Sequence, residues 1–465
     1  MIHELHRGEN HVTPATEPST TTRRLTLLVT TLASFLTPFM GASVTVALPV
    51  IGRDFGLGPL GLSWVATSYL LAAAILLVPF GKVGDTRGRT RVFILGMSIY
   101  TVASLLCTLA PSAAFLIASR VLQGVGGSMV FGTSVAILTA AFPPEQRGRV
   151  IGINVAAVYL GLSLGPFLGG LLTEHLGWRS VFAGNVLAGV VTTAVAIWNL
   201  PRDDRPPTAR FDWAGTAFYS VGLGATISGF SRLPRLGGAA LLILGGLAAA
   251  AFIRRERTTS NPVLDLDLIA RNRVFAFSNL AALINYAATY AVAFLLSLYL
   301  QNVRGFGAQD AGLLLVVQPI VQAVVSPFAG RLSDRVPPRL VASAGMAVIV
   351  LGLVALALIG PATPLSWIGG GLATLGIGFG LFSSPNTSAV MGSVARAQYG
   401  VASATLATVR MTGQAFSMGI AMLVFALAGP QGGTVGLPAL RISFAVFAGL
   451  CLLGTFASLA RGKKE

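Results

Sequence analysis

A bundle of membrane-spanning α-helices is the fold class this sequence predicts. The chain of 465 residues is 54% hydrophobic and only 10% charged, its mean hydropathy is +0.76, and its apolar residues gather into runs long enough to cross a bilayer. Soluble domains carry about 25% charged residues, so the composition excludes a water-soluble globule, and its apolar content excludes a disordered chain. A crossing needs about 20 mostly apolar residues, and a helix is the open-chain form that satisfies its own backbone in lipid.

The elements follow in order. Residues 1–24 are rich in Thr, Pro, Glu and His, lack a core-forming pattern, and read as an N-terminal tail. Arg23 and Arg24 then precede a run too long for a signal-peptide core, which reads as an uncleaved first span. Fourteen spans are predicted, at 25–50, 60–80, 92–110, 112–140, 149–172, 180–200, 212–230, 237–253, 274–300, 308–328, 340–359, 365–390, 400–428 and 439–460. The seventh and eighth are short and glycine-rich, and read as a pair inserted between two six-span blocks. The expected division is therefore a bundle at 25–200, a linker with two extra helices at 201–273, a second bundle at 274–460 and a short tail at 461–465. The charged stretch 254–273, with Pro262, introduces the second bundle.

Charge placement sets the topology. Of 32 Lys and Arg, six (Arg53, Arg179, Arg232, Arg235, Arg304, Arg441) fall on one side and two (Arg120, Arg410) within spans. The remaining 24, including Lys82, Arg87, Arg89 and Arg91, fall on the side of the termini. By the positive-inside rule both termini are expected in the cytoplasm. The net charge of +16 is thus a topology signal; no basic stripe interleaved with aromatics suggests nucleic acid. Cys107 and Cys451 lie inside apolar runs and offer neither a disulfide framework nor a metal site.

A weak internal repeat supports two blocks. Gly81-Lys-Val-Gly84-Asp85-Thr-Arg87-Gly88-Arg89 follows the second span, and Gly330-Arg-Leu-Ser-Asp334-Arg335 follows the tenth. Asp85 is placed to cap the third helix or to pair with Arg87 or Arg89, and a charge cluster that breaks when helices slide acts as a gate. Gly161, Gly165 and Gly169, spaced by four, share one helix face and permit close approach of another backbone, while Pro166 removes a donor from the same helix. Arg120 and Arg410 are charges placed well within spans, where an arginine faces a water-filled cavity or a partner. Met40, Thr45, Gln123, Asn154, Asn285, Tyr286, Gln318, Gln322, Asn386 and Gln414 are candidates for a shared cavity; each polar one alternatively bonds a neighbouring helix.

The Gly81–Arg89 loop resembles the signature between spans two and three of the major facilitator superfamily. Arg120-Val-Leu-Gln123-Gly124 resembles its second motif, and Gly161-Leu-Ser-Leu-Gly165-Pro166-Phe-Leu-Gly169-Gly170 its antiporter motif. Fourteen spans, Trp64-Val-Ala-Thr-Ser-Tyr69, Gly177-Trp178-Arg179 before Asn185, and Phe211-Asp212-Trp-Ala-Gly215 together resemble the fourteen-span drug:proton antiporter branch. The resemblance covers residues 25–460 and implies efflux from the cytoplasm in antiport with protons; alternating-access export of small amphipathic compounds by a monomer is the expected function, and the excess of Arg over Lys points to a bacterial plasma membrane.

The acidic inventory departs from that pattern. All sixteen Asp and Glu fall in tails, loops or span ends. The first span keeps Ala47-Leu48-Pro49, but Met40 stands where the family's motif usually starts with an aspartate. A proton carrier must titrate and be alternately exposed and desolvated, and Asp54, Glu174, His175 and Asp212 are the nearest candidates. A facilitator or importer of a neutral or anionic metabolite, uncoupled through the first span, is the alternative. Gly56-Leu-Gly58-Pro-Leu-Gly61 matches a dinucleotide fingerprint on paper but lacks a preceding strand. No phosphate-binding GxxxxGK[ST] sequence occurs, and His3, His6, His11 and His175 form no zinc pattern. Enzymatic activity, a cofactor and a metal are not expected; membrane lipids are the expected surroundings.

Overall fold

In a computed structural model of the chain, residues 19–200, 212–259, 266–395, 398–428 and 436–462 are described. All regular structure among them is helical. The helices are α1 Thr20–Phe55, α2 Pro59–Arg87, α3 Arg89–Thr108, α4 Ala113–Ala141, α5 Pro144–Leu176, α6 Arg179–Asn199, α7 Trp213–Arg232, α8 Leu236–Glu256, the short α9 Leu266–Arg271, α10 Arg273–Thr289, α11 Ala291–Leu298, α12 Ala308–Leu315, α13 Val317–Ser333, α14 Pro338–Ala357, α15 Leu365–Gly392, α16 Tyr399–Ala428 and α17 Leu437–Leu459. A wide turn at Tyr299–Val303 continues α11, so α10, α11 and this turn make one crossing, Arg273–Val303, and α12 with α13 make the next, Ala308–Ser333. Among the described residues, thirteen helices are long and apolar enough to span a membrane. The fourteenth crossing is α7, of 20 residues, paired with α8. With an even number of crossings, the start of α1 and the end of α17 lie at one end of the bundle, here called the terminal end.

Local chemistry sets the boundaries. Ser19 starts α1 by accepting a hydrogen bond from the Thr22 N–H (3.1 Å), and Gly56 ends it at φ 61°. Proline occupies the first turn of α2, α5, α14 and α17, where its missing N–H costs nothing. Two expected boundaries move. Residues 81–87, read from sequence as a loop, continue α2, and the junction with α3 is the single residue Gly88, at φ 101°. Its conformation suits glycine, so the chain reverses without a loop. The linker around Pro262 lies outside the described residues, as do Phe211 and the tail 1–18.

The two sets of six crossings pack in the same order. In the first, α1 lies on α5 and α6, α2 on α4, and α3 on α4 and α6; in the second, α10 lies on α16 and α17, α13 on α15, and α14 on α15 and α17. The sets meet along two seams, α5 against α12 and α2 against α16, with α1 touching α11 near the far end. The α7–α8 hairpin covers the second seam, since α7 packs on both α2 and α16.

Glycine makes the closest of these approaches possible. A Cβ on Gly161 would sit 2.5 Å from the Phe35 carbonyl, and one on Gly169 would sit 2.5 Å from the Ser43 Cα. The shared face read from their spacing is the face on α1. Ser43 adds a hydrogen bond from its hydroxyl to the Gly165 carbonyl (2.9 Å).

Candidate functional site at the meeting of the two helix sets

The first motif lies at the terminal end. Asp85 Oδ1 accepts from Arg89 Nε and lies 2.8 Å from Arg89 Nη2, an exposed ion pair across the α2–α3 junction. Of the two roles read for Asp85, the pairing is present, whereas α3 starts at Gly88 without a side-chain cap. Gly84 lets α2 press on Thr133 of α4, and Gly81 faces Gly132. The counterpart differs: Asp334 and Arg335 are exposed beyond α13, and neither forms an ion pair among the described residues. The sequence repeat at Gly330 is therefore not matched by the same charge contact.

The second motif forms a buried network. Arg120 on α4 is 1% exposed. Its Nε donates to the Val65 carbonyl (3.1 Å), its Nη1 to Gln123 Oε1, and its guanidinium lies 4.7 Å from the Tyr69 ring centre. Gln123 donates to the Ser104 hydroxyl (2.7 Å), which also accepts from Asn185 Nδ2 (2.8 Å). Neutral acceptors and an aromatic face thus hold a charge whose burial alone is costly. Gly124 brings α4 against the Tyr69 carbonyl of α2, where a Cβ would approach to 2.5 Å.

Halfway along the bundle, side chains of both sets converge. Tyr159 of α5 donates to Ser383 of α15 across the divide (3.3 Å). Tyr286 of α10 lies edge-on to Phe379 of α15, centroids 5.4 Å apart, and beside Arg410 of α16. Tyr69 has Arg120, Tyr290 and Arg410 within electrostatic range. Several buried polar atoms here have no partner among the described residues: the Tyr69 hydroxyl, both amide atoms of Asn285, and Asn386 Oδ1, one turn along α15 from Ser383. Gln318 and Gln414 are half-buried and Gln322 buried.

Three other cavity candidates sit elsewhere. Asn154 is occupied between helices, donating to the Thr30 carbonyl (3.2 Å) and bonding the Ser34 hydroxyl (2.9 Å). It fastens α5 to α1, the alternative open to every such side chain. Thr45 returns its hydroxyl to Gly41 on its own helix (2.9 Å). Met40 is 1% exposed within the apolar core.

The titratable candidates lie at the ends of helices. At the far end, Asp54 accepts from Trp178 Nε1 (2.7 Å) and lies 3.6 Å from Arg179 Nη1, while Arg179 donates to the Ala110 carbonyl and stacks 4.2 Å from Trp178. The Gly177-Trp178-Arg179 sequence therefore staples α1, α3 and α6 together. Glu174, at the end of α5, accepts from the Gln309 N–H in the first turn of α12 (2.8 Å), and His175 Nε2 lies 2.8 Å from Gln309 Oε1. A carboxylate is thereby set on the positive N-terminus of a helix in the other set. The same seam is tightened by Gly170 against Ala308, and by Gly312 against the Pro166 carbonyl. Toward the middle it opens into a cleft of about 560 Å³ lined by apolar residues such as Leu164, Phe167 and Ile320. At the terminal end, Asp212 caps α7 through the Gly215 N–H (3.1 Å) and pairs with Arg255 (3.2 Å). Burial alone would raise its pKa, but hydrogen bonds from Arg255 and Gly215 and the Arg255 charge hold the carboxyl below its usual value.

Sequence reasoning missed Tyr159, Ser383, Gln301 and the Gly307–Gln309 turn. Gln301 donates to the Val46 carbonyl (2.9 Å) and so links α1 to the second set. These residues act through partners more than 130 positions away, and no local pattern marks them. No group of three or more His, Cys, Asp or Glu able to hold a metal occurs among the described residues.

Two similarly packed six-helix sets, joined at two seams, make up a polytopic membrane protein with the repeated-half plan that recurs among transporters. The chain belongs to the Major Facilitator Superfamily, whose family model matches residues 30–418. It is 32% identical over 394 residues to the riboflavin transporter RibZ of Clostridioides difficile (strain 630), covering 83% of this chain and 84% of that one. It is 33% identical over 413 residues to the multidrug resistance protein Stp of Mycobacterium tuberculosis (strain ATCC 25618 / H37Rv), covering 88% and 76%. In fold it matches the solved structure of a bacterial homologue of the human lysosomal transporter Spinster, inward-facing and occupied, with a TM-score of 0.67, 17% identity and coverage of 95% and 97%. The chain is a transporter and not an enzyme.

Proposed function

We propose that this protein exports drugs or other small amphipathic organic compounds by alternating access, in antiport with protons, from the cytoplasm across a bacterial plasma membrane. Helices α1–α6 and α10–α17 act as two rocking halves, with α7–α8 as an inserted pair and both termini cytoplasmic. The monomer is the transport unit. The observation that carries this reading is the convergence of Tyr69, Tyr159, Tyr286, Phe379 and Arg410 from both sets at mid-height, which suits a flat, largely apolar cargo held by few polar groups. Similarity to a multidrug resistance protein supports it. In the export cycle Glu174 and His175 are the groups we assign to proton exchange, because a carboxyl and an imidazole there bridge the two halves.

Met40 favours a second reading, a facilitator or importer of a neutral or anionic small metabolite without proton coupling through the first span, since that span buries an apolar side chain where the superfamily's acid usually stands; similarity to a riboflavin transporter supports the metabolite cargo of this reading. Purified protein in liposomes separates the two. Antiport requires efflux of a preloaded dye to accelerate when the opposite compartment is acidified, whereas equal rates with and without the gradient establish facilitation. Introducing Met40→Asp should strengthen proton-dependent flux under the first reading.

A further inference from the structure

Between residues 405 and 425 no position of α16 is exposed. Its surroundings fix which way each side chain points. Met411 and Ala407 pack on Ala73, Ala74 and Leu77 of α2. Gly413 abuts Leu283 and Tyr286 of α10. Opposite the α2-facing side, Phe416 meets Phe230 of α7, centroids 5.7 Å apart. At 100° per residue, positions 410 and 414 fall in the narrow sector between the α2-facing and α10-facing sides. Arg410 is therefore aimed into the divide between the two helix sets and away from lipid, which α7 covers.

The two intramembrane arginines differ in their state. Arg120 is spent on the Val65 carbonyl, Gln123 and the Tyr69 ring. Arg410 is half-buried and pairs with no carboxylate among the described residues. Beside it stands Tyr286, which hydrogen-bonds it and packs on Phe379; Asn285, one residue before Tyr286, is fully buried with neither amide atom partnered among the described residues. A guanidinium has five N–H donors, so one tyrosine hydroxyl leaves it able to take a charged partner, as an arginine at membrane depth normally does.

We propose that this partner is the cargo, and that the transported compounds are aromatic organic anions whose carboxylate docks on the Arg410 guanidinium while the ring system lies against Tyr286 and Phe379. The inference rests on the export reading and names the substrate class of that site. A guanidinium offers a planar fork that matches a carboxylate with two parallel hydrogen bonds. A cationic cargo would instead meet two guanidiniums and no acid at this depth.

Three dyes test it in proteoliposomes: fluorescein, an anion; rhodamine 123, a cation on the same xanthene ring; and riboflavin, which is uncharged. Fluorescein should be carried in preference to rhodamine 123 by the wild-type protein. In Arg410→Gln its transport should fall by about tenfold, the size expected for loss of a charge-assisted hydrogen bond, with rhodamine 123 transport rising. Arg410→Lys should recover part of the fluorescein flux. Wild-type preference for rhodamine 123, or fluorescein transport unchanged in a monodisperse Arg410→Gln protein, overturns the proposal while leaving export standing. If the wild-type protein moves none of the three dyes, the export reading itself fails and takes this proposal with it. Should Arg410→Gln not fold, the wild-type dye preference and the Tyr286→Ala variant, expected to weaken fluorescein more than riboflavin, decide the matter.

Discussion

Replacing Arg120 with alanine strands the Val65 carbonyl, Gln123 and the Tyr69 ring in a dry interior. Each buried polar group left unsatisfied costs about 1–3 kcal/mol. Arg120→Ala is therefore expected to insert but to lose thermal stability and flux together, measured as melting temperature in detergent and dye efflux in liposomes. Asp85→Asn should behave oppositely. Its ion pair with Arg89 is exposed and is worth about 0–1 kcal/mol, so stability should be nearly unchanged. If the pair biases the conformational equilibrium, flux should still fall; normal flux would remove Asp85 from the gate. At this scale the sequence was informative about charge and silent about partners. That Arg120 and Arg410 are unusual follows from their place in apolar runs, and the glycine spacing of α5 identifies a contact face. That one arginine is held by a carbonyl, an amide and an aromatic ring while the other has only Tyr286 beside it depends on Val65, 55 residues away from Arg120, and on the packing of α10 against α16.

At the scale of the element, α5 is a two-faced hinge piece. Its glycines at 161, 165 and 169 lie on α1, and Gly170 and the Pro166 carbonyl lie on α12 of the other set. A branched side chain on the first face has backbone for a neighbour and cannot be relieved by a rotamer change, so Gly169→Val should destabilise the first helix set by more than about 1–3 kcal/mol, the usual range of overpacking, seen as reduced yield of folded protein. The α7–α8 hairpin supplies a pH-dependent counterpart. Asp212 titrates below its ordinary value because Arg255 and the Gly215 N–H bind its charged form. The sign follows: this contribution is complete above about pH 4, the unfolded carboxyl value, and is lost as pH falls through the lower folded value. Asp212→Ala should thus lower stability by about 1–2 kcal/mol near neutrality, with the gap to wild type closing under acid. The hairpin's two helices were legible in the sequence as short, glycine-rich spans. Its position over the α2–α16 seam was not, because packing between distant helices leaves no local period.

For the whole molecule, the decisive contacts between the two sets at the far end are those of α5 with α12: Glu174 on the Gln309 N–H, His175 on the Gln309 side chain, and the glycine contacts at 170 and 312. Alternating access requires this seam to part when the site turns to the far side. A cross-link there should therefore arrest transport without disturbing the cluster around Arg410. Both native cysteines, Cys107 and Cys451, are buried, so a Glu174→Cys/Gln309→Cys pair can be bridged by a short, reducible thiol reagent with little background. Bridging should abolish dye efflux, and reduction should restore it to the level of the unbridged double variant. Because that variant also loses the carboxylate, its rate before bridging reports on Glu174 itself: an efflux that no longer responds to an acidic far side would place proton exchange at this seam. An efflux rate unaffected by bridging would mean that the seam stays shut throughout the cycle, and that the two sets do not rock about the cluster between them.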